Sequence, residues 1–226
     1  MNKSIFLKFY ILIAATNLLL IFLDYGIVTG FLKPFLMPLL ILYVYYQNVF
    51  SAKKFLLLGL IFSWIGDILL LFTAKGELFF IAGLLSFLTA HIFYIFLFSK
   101  LGTTAAYKKN LVFWAGFIII LFYLQSLLSM LLPKLGSLKI PVSIYALTIS
   151  IMLAFAWRGY FIWKKPTRFF ILFGALAFVA SDSFLAINKF QSSFEYASFL
   201  IMATYLVAQF GIVLGVVSSF SFKKEL

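Results

Sequence analysis

Cysteine is absent from the 226 residues, which excludes disulfides, thiolate nucleophiles and thiolate metal sites and leaves the redox compartment unreadable. Acidic residues are scarce as well, six against 18 Lys and Arg, and there is one histidine, His91. One histidine and a few carboxylates make a sparse ligand set, and no His-Glu-x-x-His spacing occurs, so no metal and no cofactor is expected. The nucleophile elbow Gly-x-Ser-x-Gly is missing too, which argues against a serine nucleophile at Ser63, Ser181 or Ser183 with His91 as its base. Charged residues make up 11% of the chain, where a soluble domain averages about 25%. What is abundant is apolar: 65% of residues are hydrophobic, 31 of them Phe, and the mean hydropathy is +1.15. So much apolar surface cannot be hidden in a soluble core, and the chain reads as an integral membrane protein. The net charge of +12 would suggest a nucleic-acid partner in a soluble protein. Here the basic residues stand between apolar runs, where membrane topology accounts for them, and nucleic acid is discounted.

Crossing about 30 Å of hydrocarbon takes roughly 20 apolar residues at about 1.5 Å each. Such runs recur eight times, at roughly 5–23, 33–47, 54–73, 78–98, 111–132, 140–157, 168–187 and 197–220. They lack the alternation of barrel strands, so each is expected to be a helix whose backbone groups pair internally. The fold class is all-α, a single-domain bundle of eight transmembrane helices over residues 1–226. The first run follows Lys3 as a signal peptide would, but it is too long and has no Ala-x-Ala cleavage site, so it is read as a retained helix. Thirteen basic residues fall on one face, from Lys3, Lys8, Lys53 and Lys54 through Lys100, Lys108 and Lys109 to Arg158, Lys164, Lys165, Arg168, Lys223 and Lys224. Five fall on the other: Lys33, Lys75, Lys134, Lys139 and Lys189. The positive-inside rule makes the first face cytoplasmic, with both termini inside, and a bacterial inner membrane is the expected location.

Asp67 and Asp182 are the two acids that lie deep within apolar segments, where an ionised side chain costs about 2.5–3.5 kcal/mol on insertion scales. Asp24, Glu77, Glu195 and Glu225 fall at segment ends or in loops. Each buried Asp follows a basic residue, Lys53 or Arg168, by fourteen positions, or about 21 Å of helix. Asn17 and Gln125 count into the same outer layer, whereas His91 and Gln209 fall deeper. The halves also echo each other, with Leu32-Lys33-Pro34 against Leu138-Lys139-Ile140-Pro141 and Gly66-Asp67 against Ser181-Asp182. That is either a parallel 4+4 repeat or chance similarity.

An intramembrane carboxyl is either a functional group or a hydrogen-bonded pin for helix packing. Two carboxyls meeting in a dry site would divide the work, one keeping its proton as acid and the other staying an anion. His91, three residues before Tyr94 on one helical face, suits a proton relay or an interhelical hydrogen bond. Lys33, beside Pro34 at the expected outer mouth of the second helix, suits a phosphate, an Asp partner, or ordinary snorkelling.

Leu32-Lys33-Pro34, Phe62-Ser63-x-x-Gly66-Asp67-x-x-Leu70, His91-x-x-Tyr94, Ser181-Asp182-Ser183 and Tyr205-x-x-x-Gln209 occur in this order across eight helices. On these the chain resembles the YhhN-like lysoplasmalogenases over nearly its whole length. The resemblance implies hydrolysis of the sn-1 vinyl ether of a lysoplasmalogen, giving a fatty aldehyde and glycerophosphoethanolamine or glycerophosphocholine. The partners it implies are a lysophospholipid substrate and membrane lipid. Asp67 and Asp182 would then be catalytic, while Lys33, Asn17, His91, Tyr94, Ser183 and Gln209 would bind substrate or relay protons. Two other classes stay open. Paired intramembrane acids also mark proton- or cation-coupled carriers, which Pro34 and Pro141 at helix starts argue against, since a carrier calls for broken helices. A lipid-binding assembly factor without chemistry is the third.

Overall fold

The structure, a computed structural model, describes residues 3–101 and 111–221. Lys108, Lys109, Lys223 and Lys224 of the basic face, and Glu225, lie outside the described residues. Eight helices occur among those described: α1 (Ser4–Phe22), α2 (Gly26–Tyr45), α3 (Lys53–Leu71), α4 (Glu77–Lys100), α5 (Leu111–Leu131), α6 (Lys139–Ile162), α7 (Thr167–Ala186) and α8 (Ala197–Ser221). All eight are long and apolar enough to cross a bilayer, so the protein is a multi-pass membrane protein.

The second helix departs most from expectation. It begins at Gly26 and not near Lys33, because the α1–α2 turn is short. Asp24 takes a left-handed backbone (φ 62°), its N–H bonds the Ile21 carbonyl, and the Tyr25 N–H bonds the Leu20 carbonyl, which completes a Schellman motif. The chain is helical again from Gly26. Pro34 and Pro38 therefore stand inside α2, and only Pro141, third in α6, sits at a helix start as expected.

A proline within a helix deprives the carbonyl four residues earlier of its donor, which lipid cannot replace. Pro38 strips the Pro34 carbonyl, and the Trp64 indole N–H of α3 donates to that oxygen at 2.8 Å. Pro34 strips the Gly30 carbonyl, and Asn17 of α1 reaches the adjacent Thr29 carbonyl at 3.3 Å. Side chains of both flanking helices thus brace the proline segment. Trp64→Phe should lower stability by about 1–3 kcal/mol, the cost of an orphaned buried acceptor. Adding Pro38→Ala, whose N–H lies four residues beyond Pro34, should restore most of it; thermal unfolding in detergent reads both.

By internal contacts the chain divides into two compact units, Met1–Leu97 and Phe98–Leu226. In the first, α1 packs on α2 and α2 on α3. The α3–α4 contact is built on missing side chains, with the Tyr94 ring filling the space beside Gly59 and the Phe87 ring that beside Gly66. In the second unit, α5 packs on α6, α6 on α7, and α7 on α8. The α7–α8 seam joins Gly174 to Gly211 at backbone distance, as small residues allow between membrane helices. Ser181 Oγ donates to the Ile201 carbonyl at 2.9 Å across the same seam.

Candidate active site

In the first unit Asp67 lies four residues from the Leu71 end of α3, on the face that also buries Leu56, Gly59, Leu60, Ser63 and Gly66. It is 2% exposed, and the Lys33 ammonium stands 3.2 Å from its Oδ1. Lys33 is not at the mouth of its helix but seven residues in, about 10 Å from the Gly26 end. Its long stem delivers the charge to the carboxylate, and the side chain keeps 21% exposure. The buried residues of α1 are Tyr10, Ala14 and Asn17. Tyr10 is 2% exposed and within electrostatic range of both Asp67 and Tyr94. On α4, His91 and Tyr94 are fully buried one turn apart. A cation, an anion, phenols and an imidazole therefore share the interior of one four-helix unit.

In the second unit Asp182 stands near the end of α7, just before the chain widens into a π-helical turn at Ile187–Gln191. The Tyr145 hydroxyl of α6 donates to its Oδ2 at 2.5 Å. Beside it, Ser183 Oγ donates to the Val179 carbonyl at 2.6 Å and lies 2.7 Å from the Tyr123 hydroxyl of α5. Asp182 is thus held by a neutral phenol where Asp67 is held by a full charge. Gln209 is fully buried on α8, one turn beyond the buried Tyr205.

A family model described as the YhhN family matches residues 28–216. The chain belongs to the YhhN family. It is 34% identical over 175 residues to the lysoplasmalogenase TMEM86A of Homo sapiens, an alignment covering 75% of this chain and 67% of that one. Against the lysoplasmalogenase TMEM86A of Bos taurus it is 31% identical over 173 residues, with the same coverage of each chain. A third relative, the lysoplasmalogenase TMEM86B of Homo sapiens, is 31% identical over 161 residues, covering 71% of this chain and 62% of that one. No solved structure matches it.

The stretch matched to the YhhN family takes in Lys33, Asp67, His91, Tyr94, Asp182, Ser183 and Gln209 and leaves out Tyr10 and Asn17. Of the candidates read from the sequence, the structure joins Lys33 directly to Asp67. Asn17, counted into the carboxylate layer by depth, gives its amide N–H to the Thr29 carbonyl instead. Gln125, counted into the same layer, is exposed on α5. Sequence reading missed Tyr10, Tyr123, Tyr145 and Trp64. The tyrosines carried no distinguishing signal among 12 in an aromatic-rich chain. Trp64 had one, since two prolines four apart in a helix require an outside donor.

Proposed function

We propose that this protein hydrolyses the sn-1 vinyl ether of lysoplasmalogens, releasing a fatty aldehyde and glycerophosphoethanolamine or glycerophosphocholine. The observation that carries the reading is a buried Lys33–Asp67 ion pair in a chain whose relatives are named lysoplasmalogenases. Vinyl-ether hydrolysis begins with a proton delivered to the alkenyl carbon, which leaves an oxocarbenium ion for water to capture. The reaction therefore asks for a proton donor and an anion, as glycoside cleavage does. The two carboxyls are held differently, one by an ammonium and one by a phenol, and that difference supports a division of roles. Asp67, facing an ammonium, is the anion that stabilises the cation and takes the proton of the attacking water. Asp182, held by a phenol, is the general acid, a role that supplies about 10²–10⁴-fold. His91, Tyr94, Ser183 and Gln209 orient water or headgroup, and the alkenyl chain lies among the apolar helices.

The carrier reading draws on one observation, the two prolines inside α2 beside Lys33, since interrupted helices line transport sites. The purified protein in proteoliposomes, given alkenyl lysophosphatidylethanolamine, should release aldehyde and glycerophosphoethanolamine in equal amounts. In D2O the aldehyde should carry deuterium on the carbon next to the carbonyl. Intact lipid together with proton-driven solute flux would overturn the hydrolase in favour of the carrier.

A further inference from the structure

Helical Ser and Thr side chains in this protein usually turn back on their own backbone. Thr89 bonds the Leu85 carbonyl, Thr148 that of Ile144, Ser183 that of Val179 and Thr204 that of Leu200, all at 2.6–2.8 Å. Ser63 does not. Its side chain is fully buried, and among the described residues its Oγ has no hydrogen-bond partner. It lies one helical turn before Asp67 on the same buried face of α3, where residues four apart are neighbours. The glycines on either side of it, Gly59 and Gly66, are covered by the Tyr94 and Phe87 rings. Between those rings α4 presents Ala90 and His91, both fully buried. A hydroxyl with unused hydrogen-bonding capacity among the described residues thus stands a turn from a buried carboxylate, on a helix face covered by aromatic rings. Buried polar groups of this kind are the usual ligands of an internal water.

We propose that Ser63 Oγ and the Asp67 carboxylate together hold the hydrolytic water, which makes Ser63 a catalytic residue. The inference rests on the vinyl-ether hydrolase reading. Once the alkenyl carbon has been protonated, a lone pair of this water forms the new C–O bond at the oxocarbenium carbon. The C=O⁺ π pair returns to the ether oxygen, and the water's proton passes to Asp67. The C–O bond to glycerol then breaks with its electron pair on the glycerol oxygen, which takes the proton held by Asp67, while the hemiacetal hydroxyl gives its own proton to water and its O–H pair becomes the aldehyde C=O. Ser63 donates to or accepts from the water throughout and forms no covalent bond.

The test compares wild type with Ser63→Ala on alkenyl lysophosphatidylethanolamine, with methanol added as a competing nucleophile. The variant's kcat should fall about 10- to 100-fold at unchanged KM. The mixed methyl acetal should rise relative to aldehyde, because water loses its held position. Thermal stability should stay at the wild-type level, since the hydroxyl has no hydrogen-bond partner among the described residues to lose. Wild-type kcat and product ratio in Ser63→Ala would overturn the assignment. So would a matching loss of stability and activity at an unchanged ratio, which marks a structural hydroxyl. A wild-type protein that cleaves no vinyl ether overturns the hydrolase reading itself and this inference with it.

Discussion

Asp67→Asn should cut aldehyde release by about 10²–10⁴-fold, since an amide of the same shape can neither take a proton nor offset a developing cation. The substitution has a second effect, because Lys33 loses its counter-ion inside α2, where its side chain is about four-fifths buried. Removing one partner of a buried pair costs about 3–5 kcal/mol, so Asp67→Asn should also unfold at lower temperature. Pairing it with Lys33→Met removes the stranded charge and should recover stability without recovering turnover. Activity and stability measured on both variants therefore separate the two roles. Near wild-type turnover in Asp67→Asn would remove this carboxylate from the chemistry. Asp182→Asn should lose activity to a similar extent but keep its fold, since an Asn oxygen still accepts the Tyr145 hydrogen bond.

Gly174→Val is expected to be the most damaging change in the second unit. A Cβ at this position would stand 2.9 Å from both the Ala208 carbonyl oxygen and the Ile212 amide nitrogen. Both are backbone atoms of α8, and a helix backbone cannot swing aside as a side-chain end can. The reciprocal position is as tight, with a Cβ at Gly211 meeting the Phe170 carbonyl at 3.0 Å. The helices would have to separate, straining the hydrogen bond between Ile201 and Ser181, the residue before Asp182. The cost should reach about 3 kcal/mol, the upper end of overpacking penalties. Gly30→Ala is the control, since nothing lies within 4 Å of a Cβ there. It should be neutral, or stabilising by up to about 1 kcal/mol through helix propensity. Thermal unfolding of the two variants in detergent checks the contrast.

The eight helices were legible because hydropathy and length decide insertion segment by segment. The start of α2 was not. Lys33-Pro34 reads as a boundary when the chain is considered alone, yet the helix runs through it, since Trp64 of α3 supplies the donor missing at the Pro34 carbonyl and Asn17 of α1 bonds the neighbouring Thr29 carbonyl. Depth counting put Asn17 and Gln125 in the carboxylate layer, but depth is one coordinate of two. The direction a side chain faces around its helix turned Gln125 outward and brought Tyr10 in. Hydrophobic periodicity could not predict that direction, because these helices are apolar on every side.

From sequence alone came the number of spans and the two acids that stand where lipid would exclude them. Those follow from transfer free energies, which each segment carries by itself. Tertiary structure decided that Asp67 meets an ammonium, Asp182 a phenol, and Ser63 no protein group among the described residues. Such pairings depend on which helix faces touch, and that is settled by close packing at glycines whose partners lie on other helices.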